Sequence, residues 1–137
     1  MKKLILLLIV TSFTSNILYA NNFNWTKVIT SKDGNTAWYY DKKSIRKVGN
    51  YKFYWQLANY LKDYDEDKSV VSHSMVNCDT YEMKWITYTG YSDHMGRGTI
   101  NFESIVPEDD ITYFKWEYFD PKTTVQGLIT KKVCNSE

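Results

Sequence analysis

The chain has 137 residues, with 17 Lys and Arg against 16 Asp and Glu and a formal charge of +1. That balance leaves no electrostatic footprint for nucleic acid, and the length suits one domain with its own core. Aromatic residues make up 17% of the sequence, including 12 Tyr and 5 Trp, a composition that favours strands and half-buried surfaces.

Residues 1–20 read as a secretory signal peptide cleaved after Ala20. Lys2 and Lys3 form a basic start, Leu4 to Val10 an apolar run, and Ala20 a small residue at the cleavage point. The apolar run is far short of the ~20 residues needed to cross a bilayer. No later segment is apolar enough to do so, and no membrane span is expected after cleavage. The leader carries no cysteine at its end, so the expectation is a periplasmic or secreted protein rather than a lipid-anchored one. Residues 21–137 then form one domain.

Asn21 and Asn22 begin a short polar tail, and Asn24 to Ile29 predicts a first strand. Asp33-Gly34 lies in a turn cluster and is a strong hairpin signal. Thr36 to Asp41 predicts a second strand, followed by a short extended element at Ser44 to Val48 and a Gly49-Asn50 turn. Tyr51 to Leu61 alternates with period two: Tyr51, Phe53, Trp55 and Leu57 point one way, Lys52, Tyr54, Gln56 and Ala58 the other. That is the mark of a half-buried strand. Lys62 to Lys68 is a charged, solvated loop. Val70 to Cys78 and Tyr81 to Tyr91 then form a hairpin with its corner at Asp79-Thr80, followed by a turn at Gly96-Arg97-Gly98. Thr99 to Ile105 and Ile111 to Phe119 predict two more strands, separated by Pro107 to Asp110. Finally Val125, Leu128, Ile129 and Val133 recur at helical spacing behind a threonine cap. They predict one helix over Thr124 to Val133, with Lys131 and Lys132 favourably placed in its last turn. Gly127 weakens that helix by up to ~1 kcal/mol.

The expected fold is α+β: a single antiparallel sheet of about six strands packed against one C-terminal helix. Cys78 and Cys134 are the two cysteines, and in an exported chain their default state is a disulfide, with two free thiols the alternative.

The chemistry-bearing residues are sparse. His73 and His94, the two histidines, do not supply the three or four ligands of a zinc site. Asp63 to Asp67 imitates the start of a calcium loop, but Lys68 and Ser74 stand where glycine and glutamate are needed. Nucleophile signatures are missing. No catalytic residue, metal or cofactor is expected, and the chain reads as a non-enzyme. The candidate binding face is Tyr54, Tyr60, Ile86 and Tyr88, on the sides opposite Trp55 and Trp85. Tyrosine offers a large contact area with a polar tip, a combination favoured in interfaces.

The succession Tyr39-Tyr40-Asp41-Lys42-Lys43-Ser44-Ile45, Asn77-Cys78, Gly96-Arg97-Gly98, Pro121 before a short helix, and Val133-Cys134 resembles the bacterial surface-adhesin protein E family. The resemblance spans Trp25 to Cys134. It implies a sheet packed against the C-terminal helix, a Cys78–Cys134 bridge, and a small exported protein binding host matrix and plasma proteins. The expected partner is a protein, which includes a second copy in a homodimer. The alternative is a periplasmic accessory or structural protein whose partner is another envelope component.

Overall fold

The computed structural model describes residues 22–62, 66–105 and 115–137. The leader, part of the charged loop at 63–65, and the first four residues of the strand expected from Ile111 lie outside the described residues.

The described strands form one antiparallel sheet: β1 (Trp25–Thr30), β2 (Thr36–Asp41), β3 (Arg46–Val48), β4 (Tyr51–Tyr60), β5 (Ser69–Asn77), β6 (Glu82–Asp93), β7 (Arg97–Ile105) and β8 (Glu117–Tyr118). Their spatial order is β1-β2-β4-β5-β6-β7, with β3 on β4 and β8 on β6. This is more strands than the six expected, because two short pieces pair with the inner strands β4 and β6. Each turn has a local cause. Asp33 at the β1–β2 turn accepts from the Asn35 amide, while Gly34 supplies a φ of +72°. Between β2 and β3 the chain makes a 3₁₀ turn at Lys42–Ser44, capped by Asp41, whose carboxylate accepts from the Lys43 amide. β2 and β3 therefore run antiparallel to β4 as two segments of one interrupted strand.

Helix α1 (Val125–Cys134) lies on one face of the sheet. Thr124 caps it as expected, accepting from the Gly127 amide at 3.0 Å. Ile129 and Val133 pack into a core with Tyr40, Tyr54, Val76 and Met83. The Cys78–Cys134 disulfide is present, with Cα atoms 5.5 Å apart. The C-terminal turn of α1 is also held from the sheet. Lys52 Nζ donates to the carbonyls of Val133 (3.2 Å), Cys134 (3.1 Å) and Ser136 (2.5 Å), placing a cation on the negative end of the helix. Lys52→Met should therefore lower stability by about 1–2 kcal/mol, read by denaturant unfolding, and a surface lysine such as Lys132→Met should leave it almost unchanged.

Candidate functional site

The face of β4 that meets the helix carries Tyr54 and Gln56, and both are fully buried. Gln126 of α1 reaches down to them: its Nε2 donates to Gln56 Oε1 at 3.0 Å and Tyr54 Oη at 3.2 Å. A polar trio is tolerated in the core because its members satisfy one another. Burial pushes the Tyr54 hydroxyl pKa well above its ordinary value, with hydrogen bonding opposing the shift.

This placement bears on the four residues expected to form an outer tyrosine surface. Tyr54 lies beneath the helix, so it belongs to the core. Tyr60 and Tyr88 are half-buried, and burial raises both hydroxyl pKa values. Tyr88 shares its face with Gln56, through the cross-strand partners Gln56, Ser72 and Tyr88. Ile86 sits in a bulge where the β5–β6 register shifts between His73 and Ser74. The extra residue turns Trp85 onto the same face as Tyr54, through Tyr54, Ser74 and Trp85. Trp85 then packs edge-on to Phe119 at 5.7 Å. At the end of β6, Gly96 and Gly98 take φ of +69° and +85°, as a tight turn there requires.

The turn does more than reverse the chain. Ser69 Oγ donates to the Asp93 carbonyl and accepts from the Gly96 amide, and the Met95 amide donates to Asn59 Oδ1. These bonds draw residues 93–96 over the second sheet face. Asn59, Ser69 and Val71 are buried beside them, and a Cβ on Gly96 would come within 2.8 Å of Val71 Cγ2.

The rest of the second face carries a stack of rings. Trp55 and His73 are cross-strand partners on β4 and β5, with ring centroids 4.6 Å apart and planes 19° from parallel. Phe23, from the expected polar tail, lies 5.4 Å from Trp55 and 4.6 Å from Trp25. At the other end Phe53 lies 6.0 Å from His73, and the Arg46 guanidinium sits 5.2 Å above the Phe53 ring. Further down, Lys84 Nζ lies 4.7 Å over Trp116, whose ring neighbours Tyr51 at 5.7 Å. Aromatic pairs at these distances add roughly 0.5–1.5 kcal/mol beyond burial.

His73 makes this stack sensitive to pH. Burial, and secondarily the Arg46 charge, hold its pKa below the ordinary 6.5. The unfolded chain therefore binds a proton that the folded chain resists. Its contribution to stability is complete above about pH 6.5 and is lost as pH falls toward the lowered value. Wild-type protein should lose stability between pH 7.5 and 5, and His73→Phe should flatten that slope, measured by denaturant unfolding across the range.

The described residues hold no group of three or more His, Cys, Asp or Glu placed to bind a metal, and none of their helices is long and apolar enough to cross a membrane. The molecule is a disulfide-clamped sheet with a helix on one face and an aromatic stack on the other. The family model for surface-adhesin protein E matches residues 25–135, and the chain belongs to that family. Solved structures of Haemophilus influenzae protein E are similar in fold. The selenomethionine form is 19% identical, covers 79% of this chain and 84% of its own, and superposes with a TM-score of 0.55. A second crystal form is 17% identical, with 79% and 86% covered and a TM-score of 0.54. No curated protein matches the sequence.

Proposed function

We propose that this chain is an exported, non-enzymatic binding domain that engages a protein partner through the sheet face its helix leaves open. The observation that carries the reading is the stack from Trp25 through Phe23, Trp55 and His73 to Phe53, topped by Arg46. Aromatic residues and arginine dominate the energetics of protein interfaces. Family membership supports a binding role over a catalytic one, and the leader-like start of the chain supports export.

The test is capture. Immobilised residues 21–137 are presented with host matrix proteins and with envelope extract. A specific partner should be retained, and Phe53→Ala should weaken retention while the thermal unfolding midpoint shows the variant still folded. No retained protein from either source would overturn the reading. A second copy is one admissible partner, and light scattering at working concentration reads it directly. Protease treatment of intact cells separates the two settings: digestion places the domain at the surface, and protection places it in the periplasm with an envelope partner.

A further inference from the structure

Beside the aromatic stack the sheet has a short edge that no other described strand covers. Among the described residues β3 pairs with β4 alone, and Arg46, Lys47 and Val48 are all exposed. Arg46 and Val48 are two residues apart, so both side chains lie on the face of the aromatic stack, while Lys47 points to the other. The pairing agrees, since Arg46 is opposite Phe53 and Val48 opposite Tyr51. The Arg46 guanidinium is held over Phe53, and no carboxylate pairs with it among the described residues. A stacked guanidinium keeps its planar N–H fork free for an oxyanion.

Three occupants can be compared. A second copy pairing through the same edge would set Arg46 and Lys47 against their own like charges, which is how natural sheets block self-pairing. A sugar chain would need open ring faces, yet Trp55 and His73 face each other and Phe53 is covered by Arg46. An extended acidic peptide meets neither obstacle. It can add to the β3 edge by main-chain hydrogen bonds, with its charges complementary to the two cations.

We propose that β3 is a docking edge for an extended acidic segment of a protein partner, with a carboxylate opposite Arg46 and an apolar side chain two residues away opposite Val48. The residue between them faces Lys47 and is also acidic. The site rests on the protein-binding reading above and narrows it to one edge and one partner chemistry. The aromatic stack acts as the backing that fixes the guanidinium.

The experiment is an NMR titration of oxidised residues 21–137 with a short peptide centred on Glu-Glu-Val, and with the same peptide centred on Lys-Lys-Val. The acidic peptide should shift the amides of residues 46–48 and the Trp55 indole N–H, and should bind at least about tenfold more tightly than the basic one. Arg46→Glu should lose about tenfold in affinity with an unchanged melting midpoint, and Arg46→Lys should fall between, keeping charge without the planar fork. Equal binding of the two peptides, shifts confined to other strands, or indifference to Arg46→Glu would overturn the proposal. So would a sulfated heparin fragment that outcompetes the acidic peptide at these residues. If Arg46→Glu leaves capture of a natural partner intact, the docking edge is wrong and the binding domain stands; if wild type captures nothing, the broader reading has failed.

Discussion

Replacing both Cys78 and Cys134 by serine is expected to lower stability by roughly 4 kcal/mol, the largest single loss foreseen here. The bond closes a loop spanning 56 positions. In the chain-entropy description, losing such a cross-link releases the unfolded ensemble far more than the folded one. The folded side has its own stake. Ile129 and Val133 are fully buried, so the core depends on α1 staying in place, and Cys134 is the last residue of that helix. Against a typical total of 5–15 kcal/mol for a domain, a loss of this size leaves little margin. Guanidinium unfolding of the oxidised wild type and of the double-serine variant checks it: the midpoint should drop steeply. Coincident curves would mean that Lys52 and the Gln126 contacts hold the helix without the bridge. Circular dichroism of the variant should show most of the strand signal retained while the helix signal falls first, since the sheet ladders do not pass through the bond.

The elements that were legible in the sequence are those with a local cause. The Asp33-Gly34 turn, the alternation along β4 and the threonine before α1 each carry their own physics, and each appears where it was expected. Which face of β4 goes under the helix was not legible. Tyr51, Phe53, Trp55 and Leu57 look more apolar than Lys52, Tyr54, Gln56 and Ala58, yet the second set meets α1. The deciding residue is Gln126, seventy positions away from Gln56 in sequence and in hydrogen-bond contact with it. Lys52 belongs to the same set and reaches the helix end. Beside the apolar core, the buried polar groups of this strand face are thus completed by polar groups of the helix, and hydrophobic periodicity has no term for that. The bulge at Ile86 was hidden for a similar reason, because a one-residue register shift leaves composition unchanged while moving Trp85 to the opposite side. Phe23 was hidden by its neighbours Asn21 and Asn22; only the folded chain brings it against Trp55. The set Tyr54, Tyr60, Ile86 and Tyr88 expected from alternation is not the aromatic stack of Trp55, His73 and Phe53, and which side the helix leaves open is set by long-range contacts.

Gly127 gives the second large expectation, and its sign is opposite to the one that helix propensity suggests. In an exposed helix interior, glycine to alanine gains up to ~1 kcal/mol. Gly127 is buried, in the first turn of α1, where the helix crosses the corner that leads into it. A Cβ at this position would lie 2.1 Å from the Asp120 carbonyl oxygen, 2.4 Å from its carbon and 2.7 Å from the Pro121 nitrogen. These are backbone atoms, so no side chain can swing aside to make room. The corner is also tied down: the Asp120 carbonyl accepts from the Thr124 amide (3.1 Å) and from Thr124 Oγ1 (2.9 Å), and the Asp120 carboxylate accepts from the Lys122 amide (2.7 Å). The far end of the helix cannot retreat either, being fixed by Cys134 and Lys52. Gly127→Ala must therefore break the corner or lift the first helical turn off the sheet. Overpacking of this kind costs about 1–3 kcal/mol beyond what propensity returns, and the net expectation is a loss of about 2 kcal/mol. In a domain of this size that is a fall of about 8 °C in the melting midpoint. Lys131→Ala, on the exposed side of the same helix, is the matched control and should move it little. A Gly127→Ala variant as stable as wild type would show that the corner yields, and that the close approach of helix and corner contributes nothing to how α1 is seated.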